Sequence, residues 1–334
     1  MSLTEPLRFE PVFVDKVWGG RSLESFLGQP LPGDAPIGEV WSLVDRDDAS
    51  SVVAEGSAYA GRSLRGLMLS EREALLGRSA PAQDGSFPLL IKYLDVRETL
   101  SVQVHPDARA VESIKLGAEE KNECWYVLEA EKDAQIQLGF REGVDRSEIG
   151  DRVGTPDFCD LLASHTVQAE DFINVPAGTV HAIGGCMTLV EVQQNSDTTY
   201  RIYDWGRVGL DGKPRELHVD EALRSIDYER AVEGPVHPQP MDPEALCPTT
   251  PLLDGPIFGV RRVDVGASLE LELGGLCRVL IVLEGHGELI GPDEGAGPWA
   301  VEKGQTWLLP ACFPRFTLHS TDGQLSVLDV ETRS

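Results

Sequence analysis

Short runs in which apolar and polar residues alternate recur along this chain, separated by glycine, proline and other turn-forming residues. Alternation with a period of two predicts strands with one buried face, and many short strands with turns between them are typical of all-β sandwiches and barrels. The chain is therefore predicted to be mainly β. The clearest predicted strands are Leu89–Tyr93, Thr99–Val104, Glu123–Leu128, Ala134–Leu138, Phe172–Val175, Met187–Gln193, Leu269–Leu273, Arg278–Glu284, Gly287–Ile290, Gln305–Leu309 and Leu325–Val330.

Helical patterns are fewer. Short helices are predicted over Ala108–Leu116 and Val219–Ile226. An inserted helical segment is predicted over Asp145–Ala163, because an Asp start and a charged face accompany spaced apolar residues. Gly154 and Pro156 are expected to interrupt it.

A proline-rich stretch divides the chain. Repeated prolines across Glu233–Pro251 break any regular element and predict a linker. A length of 334 residues is enough for two domains. We expect a first domain over residues 1–240, with its helical insertion near 141–165, and a second over residues 252–334.

A weak internal repeat favours two similar domains. The stretches Glu170–Gly178 and Lys303–Cys312 each contain a turn, a strand and a sharp exit at Pro-Ala. This pattern favours two copies of one barrel.

The charge of the chain excludes several partners. The formal net charge is −26, and a field of that sign repels nucleic acid and anionic membranes. No long uncharged apolar run and no signal-peptide pattern are visible. The Cys residues show no C-x-x-C pair, so we interpret them as reduced thiols. A cytoplasmic protein is predicted, with no nucleic-acid or membrane partner.

Four candidate metal ligands lie on predicted strands. Gln103 and His105 are two residues apart, so their side chains share a strand face. Glu123 begins another predicted strand, and His181 follows a turn at Gly178. Two imidazoles, a carboxylate and an amide oxygen suit zinc or another divalent metal with a position open for substrate.

These ligands lie in recognisable motifs. Pro176–His181 matches the second cupin motif, P-x-G-x-x-H, and Gln103-Val-His105 followed by Glu123 resembles the first, with Gln in place of the first His. Together with further stretches, the motifs resemble the short bacterial branch of the type I mannose-6-phosphate isomerases from residue 10 to about residue 228. The further stretches are Lys16–Gly20, Ile37–Ser42, Pro88–Asp95, Leu100–Asp107, Lys121–Val127 and Glu191–Asp204.

The resemblance implies a fold, a metal and a reaction. It implies two cupin-type (jelly-roll) β-barrels with a short helical insertion. It implies one Zn²⁺ per chain, although other divalent metals suit the same ligands. The substrate would be a small sugar phosphate, and the reaction would interconvert mannose 6-phosphate and fructose 6-phosphate through an enediol. We expect a monomer or a homodimer.

The matched motifs also supply candidates for proton transfer and sugar contact. Lys92, between apolar neighbours, is expected to face the site with a lowered pKa as an acid/base; the alternative is a solvent-facing Lys. Strand parity alone slightly favours an outward-facing Glu191, but ligand-holding barrels can reverse that expectation, so it is a second candidate base. Trp18 is a candidate wall for the sugar, with a buried core position as the alternative.

Cations are needed for the phosphate or the enediolate. Arg201 offers a rigid guanidinium fork for either anion, and the alternative is a salt bridge with Asp197 or Asp204. Lys121 precedes Glu123 by two residues, so it shares the ligand's face and is a second candidate for substrate binding.

The second domain is expected to hold no metal. Pro310–Arg315 aligns with Pro176–His181, which places Arg315 where the first domain has His181. A guanidinium is always protonated and cannot coordinate a cation.

Two other classes of function stay open at this point. Two His and a carboxylate also describe non-haem iron oxygenases. A non-catalytic cupin that senses or binds sugars is the other alternative.

Overall fold

The computed structural model describes residues 3–114, 117–293 and 295–334, and these residues form 21 strands. The prediction of a mainly β chain is confirmed. In chain order the first strands are β1 (Leu7–Arg8), β2 (Val12–Gly20), β3 (Ile37–Leu43), β4 (Leu89–Val96), β5 (Val102–Val104), β6 (Glu123–Ala130), β7 (Gln135–Phe140), β8 (Leu162–Thr166), β9 (Phe172–Val175), β10 (His181–Gly184), β11 (Met187–Gln194) and β12 (Tyr200–Tyr203). The others are β13 (Thr249–Asp254), β14 (Phe258–Val265), β15 (Ser268–Glu272), β16 (Arg278–Glu284), β17 (His286–Ile290), β18 (Trp299–Glu302), β19 (Thr306–Leu309), β20 (Arg315–Ser320) and β21 (Leu325–Thr332).

The strands form four sheets with antiparallel pairing. Sheet 1 has the order β2-β3-β4-β11-β6-β9, sheet 2 β12-β5-β10-β7-β8, sheet 3 β1-β19-β16-β21-β14-β13 and sheet 4 β15-β20-β17-β18. The expectation of barrels needs a correction: in the described part of the chain each sheet keeps two free edges, and no barrel closes. The jelly-roll pattern takes the form of two-sheet sandwiches.

The internal repeat is visible in the strand order. The run β3-β4-β11-β6-β9 of sheet 1 has its counterpart in β13-β14-β21-β16-β19 of sheet 3. The run β5-β10-β7-β8 of sheet 2 has its counterpart in β15-β20-β17-β18 of sheet 4. Two copies of one topology therefore follow each other in the chain.

The four sheets stack in the order 2-1-3-4. Apolar side chains from sheets 1 and 2 form one core, which we call the first sandwich, and those from sheets 3 and 4 form the second sandwich. A third core lies between sheets 1 and 3, where Val190 and Val192 cluster with Val279 and Ile281. Sheet 1 is therefore buried on both faces.

The helices lie in two groups, one against the core between sheets 1 and 3 and one on the outer face of sheet 2. The α-helices are α1 (Leu23–Leu27), α2 (Leu64–Ser70), α3 (Arg72–Leu76), α4 (Ala108–Ile114), α5 (Arg146–Arg152) and α6 (Val219–Ser225). Helices α4, α5 and α6 pack on the outer face of sheet 2, together with a 3₁₀-helix over Pro156–Leu161. Within the described residues, no helix is both long and apolar enough to cross a membrane.

The bounds of the predicted helices agree with the structure only in part. Helix α4 ends at Ile114, and the last two predicted positions, 115 and 116, lie outside the described residues. The insertion begins as predicted, because the Asp145 side chain accepts a hydrogen bond from the Glu148 backbone N–H. Its predicted end at Ala163 is wrong, since Leu162–Thr166 is a strand that pairs with β7.

The two halves also exchange elements. Strand β1, from the N-terminus, pairs with β19 in sheet 3. Strand β13 begins at Thr249, inside the predicted linker Glu233–Pro251, so the linker's end is wrong by three residues. Within the linker, Val236 forms an antiparallel bridge with Phe172 of β9. The division into domains over residues 1–240 and 252–334 stays a prediction.

Candidate metal centre and active site

Three predicted metal ligands meet inside the first sandwich. His181 is the first residue of β10, Glu123 the first of β6, and His105 follows β5. His105 Nε2 lies 3.3 Å from Glu123 Oε2, and His181 Nε2 lies 3.4 Å from Glu123 Oε1. One ligand atom from each residue lies within 4.8 Å of the others, and all three residues are buried.

The fourth predicted ligand lies beside them. Gln103 pairs in register with His181, and its Nε2 lies 3.1 Å from His181 Nε2. Rotating the amide by half a turn would direct the carboxamide oxygen of Gln103 to the same point. The structure therefore brings together all four residues of the predicted set.

Backbone carbonyls orient both imidazoles. His105 Nδ1 lies 2.9 Å from the Thr198 carbonyl oxygen, and His181 Nδ1 lies 2.9 Å from the Thr179 carbonyl oxygen. A carbonyl only accepts, so Nδ1 of each ring carries the hydrogen and donates it. Each Nε2 is left with a lone pair directed at Glu123, which is the arrangement seen in metal-ligating histidines.

A glycine turn fixes one of these residues. The backbone N–H of Gly178 donates to the His105 carbonyl oxygen over 2.8 Å, and Gly178 has a φ of +91°. A Cβ at this position would lie 2.9 Å from Cβ of Asp227. The positive φ and the close approach of Asp227 therefore both require glycine in the turn that precedes β10 and holds the His105 carbonyl.

The donor set fits a divalent cation. His105 Nε2 and Glu123 Oε1 are buried and have no hydrogen-bond partner among the described residues, a state that is costly without a ligand. Burial first, and then the charge of Lys121, lower the pKa of His105 to about 4. Burial alone would raise the pKa of Glu123, but Lys121 and the two imidazoles lower it well below its usual value. Two neutral imidazoles and an ionised carboxylate are what zinc binds.

An ion pair lies on the neighbouring strands. Lys92 Nζ of β4 lies 2.9 Å from Glu191 Oε1 of β11, and 4.0 Å from Glu39 Oε2 of β3. Burial would lower the pKa of Lys92, but Glu191 and Glu39 outweigh it and raise this pKa above its ordinary value. The expected lowered pKa of Lys92 is therefore wrong. The side chain is a fixed cation.

The outward-facing position that strand parity alone slightly favoured for Glu191 is wrong. Val190 and Val192 do face an apolar core, but it is the core between sheets 1 and 3. Leu189, on the opposite face of β11, belongs to the core of the first sandwich. Glu191 alternates with the valines, shares this second face and is buried.

Among the residues that the structure describes, Arg201 is the site cation that lacks an ionic partner. It pairs in register with Gln103, which places it beside the metal ligands on a neighbouring strand. Its Nε is buried without a hydrogen-bond partner in the described part of the chain, where no carboxylate forms a salt bridge with it. The alternative of a salt bridge with Asp197 or Asp204 is therefore not observed.

The remaining predicted residues differ in their surroundings. Lys121 is buried, and its Nζ lies 2.8 Å from Glu123 Oε2. Trp18 is 3% exposed and packs in the core of the first sandwich. The core position agrees with the alternative reading of Trp18, and its contact with sugar stays a prediction.

The sequence interpretation missed Glu39. This carboxylate accepts a hydrogen bond from Trp41 Nε1 over 2.7 Å, and its Oε1 lies 3.0 Å from Lys16 Nζ. A usable signal existed, because Glu39 is the one charged residue in the apolar strand Ile37–Leu43. Thr198, whose carbonyl holds His105, carries no such signal, since a backbone contact is invisible in side-chain chemistry.

The second sandwich has different residues at the equivalent positions. Arg261 pairs in register with Asp329 on β14 and β21, as Lys92 pairs with Glu191 on β4 and β11. Arg278, the first residue of β16, occupies the place of Glu123. Its guanidinium lies 2.7 Å from Asp329 and 2.6 Å from Glu331, so side-chain charges here pair with one another.

The fold and the buried His–Glu–His set define a cupin-type protein with a candidate metal centre. A family model for the catalytic domain of type I phosphomannose isomerase matches residues 7–134. The chain is 36% identical to the mannose-6-phosphate isomerase ManA of Bacillus subtilis over 316 residues, which cover 94% of this chain and 96% of that protein. The chain belongs to the type I phosphomannose isomerase family.

Other relatives agree. The mannose-6-phosphate isomerase of Streptococcus mutans is 34% identical over 328 residues, with 98% of each chain covered. The crystal structure of the mannose 6-phosphate isomerase from Bacillus subtilis superposes with a TM-score of 0.86 at 30% identity, covering 98% of this chain and 99% of that one. The resemblance drawn from the motifs is confirmed.

Proposed function

We propose that this protein is a metal-dependent aldose–ketose isomerase that interconverts mannose 6-phosphate and fructose 6-phosphate. The observation that supports this most is that three kinds of side chain line the interior of the first sandwich. The Lys92–Glu191 pair and Glu123 lie on sheet 1. Gln103, His181 and Arg201, which has no salt-bridge partner among the described residues, lie on the facing sheet 2.

Zinc is the proposed metal, held by His105, Glu123, His181 and the amide oxygen of Gln103. When bound, it would supply positive charge next to the carbonyl and hydroxyl oxygens of the open-chain sugar. Manganese, cobalt or iron would suit the same ligands.

The reaction needs a base for the proton that moves between C1 and C2. Glu191 is the better candidate, because its carboxylate contacts a buried cation, whereas the pKa of Lys92 is raised. It would take the proton from C2 of the aldose and return it to C1, through an enediol. Lys92 would hold the Glu191 carboxylate in place and would itself stay protonated.

Anionic parts of the substrate need a cation that no protein carboxylate neutralises. Lys92 and Lys121 both have carboxylate partners in the described residues, whereas Arg201 has none. We assign Arg201 to an oxyanion of the substrate, either the phosphate or the developing enediolate. Lys121 would contribute a second, partly neutralised cation.

The test is a coupled isomerase assay with mannose 6-phosphate on protein whose metal content has been measured. Turnover that a chelator removes and zinc restores supports the proposal. Oxygen consumption by the iron-loaded protein without isomerisation would favour the oxygenase, and sugar binding without turnover would favour a sensor. A cytoplasmic location and a monomeric or homodimeric state stay predictions.

A further inference from the structure

A buried aspartate lies just after Arg201 in the chain and is bound by two other arginines. Asp204 is 4% exposed. Its Oδ1 accepts from Arg207 Nε over 2.9 Å and from Arg215 Nη2 over 2.6 Å, and its Oδ2 accepts from Arg215 Nε over 2.7 Å. A carboxylate offers about four acceptor positions, so two guanidinium groups occupy most of Asp204.

The two arginines belong to one excursion of the chain, which we call the Asp204 hairpin, residues 204–217. Val208 bridges Pro214, and the Gly209 N–H donates to the Lys213 carbonyl oxygen over 2.7 Å. Trp205 adopts a left-handed conformation with a φ of +57°, which turns the chain sharply away from β12.

The Asp204 hairpin is attached to the segment that leads to the metal ligands. Arg207 Nη1 donates to the Thr99 carbonyl oxygen over 2.6 Å, and Trp205 Nε1 donates to the Leu100 carbonyl oxygen over 2.8 Å. At its far end the His218 N–H donates to the Arg201 carbonyl oxygen over 2.8 Å. The hairpin therefore begins and ends beside Arg201.

The charges of the hairpin act on Arg201 without touching it. Burial first, and then the charges of Arg215 and Arg207, lower the pKa of Arg201, while Asp204 and Asp197 oppose this shift. Asp204 is thus close enough to attract the Arg201 guanidinium, yet within the described ranges its hydrogen bonds go to the other two arginines.

We propose that Asp204, Arg207 and Arg215 form a positioning cluster that prevents Asp204 from capturing Arg201, so that Arg201 stays free to bind an oxyanion of the substrate. This rests on the role of Arg201 under the proposed function. An internal ion pair would compete directly with a substrate oxyanion for the same donors. Arg215 is the decisive member, since its Nε is the donor to Asp204 Oδ2.

The experiment compares Arg215→Gln with the double variant Asp204→Asn/Arg215→Gln. In Arg215→Gln, Oδ2 of Asp204 loses its donor and becomes available to Arg201. We expect the KM for mannose 6-phosphate to rise about tenfold, a typical loss for one charge-assisted contact, with kcat less affected. In the double variant Asp204 can no longer capture Arg201, so KM should return to within about threefold of the wild-type value.

A purely structural role of the cluster predicts the opposite order of KM values for the two variants. It predicts that the double variant is at least as impaired as Arg215→Gln, because more of the cluster is lost. That result, or an unchanged KM in Arg215→Gln, would overturn the proposal.

Calorimetry with inorganic phosphate separates this proposal from the isomerase assignment. Affinity should fall in Arg215→Gln and recover in the double variant, and Arg215→Gln should cause no further loss in an Arg201→Gln background. If phosphate affinity changes in this order across the variants but the wild-type protein does not isomerise mannose 6-phosphate, the proposed function fails and the positioning cluster stands. The positioning cluster is rejected if the wild-type protein isomerises mannose 6-phosphate but phosphate affinity does not change in this order. It is also rejected if the wild-type protein binds no phosphate.

Discussion

The Lys92 ammonium lies 2.9 Å from a Glu191 carboxylate oxygen, and the two residues are cross-strand partners on β4 and β11. Both are buried, so the pair stays at a fixed distance inside the first sandwich. Because Glu191 and Glu39 outweigh burial and raise the pKa of Lys92, this lysine remains charged at neutral pH. Of the two residues, the carboxylate is therefore the one able to accept a proton.

Glu191→Gln should abolish proton transfer while leaving the fold intact. We expect kcat/KM to fall by at least about a hundredfold, the usual scale for one acid–base group. Metal content and Tm should stay close to wild type, since the amide keeps the shape of the side chain. Glu129→Gln, on the exposed end of β6, is the matched control.

Lys92→Ala should also lose about a hundredfold in kcat/KM, for a different reason: Glu191 would lose the buried cation that holds its carboxylate in place. If Glu191→Gln turned over at a near-normal rate and Lys92→Ala were inactive, Lys92 would be the residue that transfers the proton. Near-normal rates in both variants would remove the pair from the reaction.

The roles of Lys92 and Glu191 show where the sequence stops being sufficient. The pKa of Lys92 depends on Glu39 and Glu191, which come from two other strands, and pairing between distant strands is not written in the local pattern of β4. The direction of Glu191 depends on sheet 1 having a sheet on each face. A strand buried on both faces loses the alternation from which an inner and an outer side are inferred.

The grouping of the candidate metal ligands was predictable because their signals are local. Gln103 and His105 share a strand face, and Gly178 allows the turn that places His181. The predicted bounds of the strand Phe172–Val175 are also confirmed. The boundary between the helical insertion and strand β8 was not predictable. Apolar and polar residues alternate too little in Leu162–Thr166 to separate this strand from the helical turn before it.

Arg201→Ala should weaken substrate handling without loss of metal. Because Arg201 is the site cation without a salt bridge among the described residues, its removal leaves no unpaired carboxylate behind. We expect kcat/KM for mannose 6-phosphate to fall by at least about a hundredfold, with Tm nearly unchanged. Arg109→Ala, at a residue whose side chain is 78% exposed, is the control. A wild-type rate for Arg201→Ala would exclude it from substrate binding.

Glu39 should make the fold sensitive to acid. Burial alone would raise the pKa of Glu39, but the charges of Lys92 and Lys16 lower it from 4.5 to about 2. A pKa depressed in the folded state stabilises it above the unfolded value by about 3 kcal/mol. This contribution is complete above pH 4.5 and is lost as the pH falls through about 2.

The measurement is urea unfolding of metal-free wild type and Glu39→Gln from pH 7 downwards. The difference in unfolding free energy should be largest at neutral pH and should shrink steadily below the unfolded pKa of about 4.3. Glu73→Gln, on the exposed side of α3, should show no difference at any pH. A gap for Glu39→Gln that widens in acid would contradict the assigned charge state.

Metal affinity should depend on the three charged or imidazole ligands more than on the amide. His105→Ala, His181→Ala and Glu123→Gln each remove a strong donor, so we expect about tenfold to hundredfold weaker binding or more, whereas Gln103→Ala should lose less. Bound metal is measured by elemental analysis after dialysis against a chelator. A full complement of metal in the double variant His105→Ala/His181→Ala would refute this centre.

The second sandwich should bind no metal, so one ion per chain is expected. At the position of Glu123 it has Arg278, which is tied to Asp329 and Glu331 over 2.7 and 2.6 Å. Arg315 aligns with His181 in the sequence, but on β20 it alternates with the core residues Phe316 and Leu318, so its half-exposed side chain faces outward and pairs with Glu270. The expected equivalence of Arg315 and His181 is therefore wrong, and it is the Arg278 guanidinium that would repel a cation here. After titration with zinc, elemental analysis should find one ion per chain in the wild type and none in His105→Ala/His181→Ala. A second tightly held ion that survives in the double variant would show that the C-terminal sandwich has a metal site of its own.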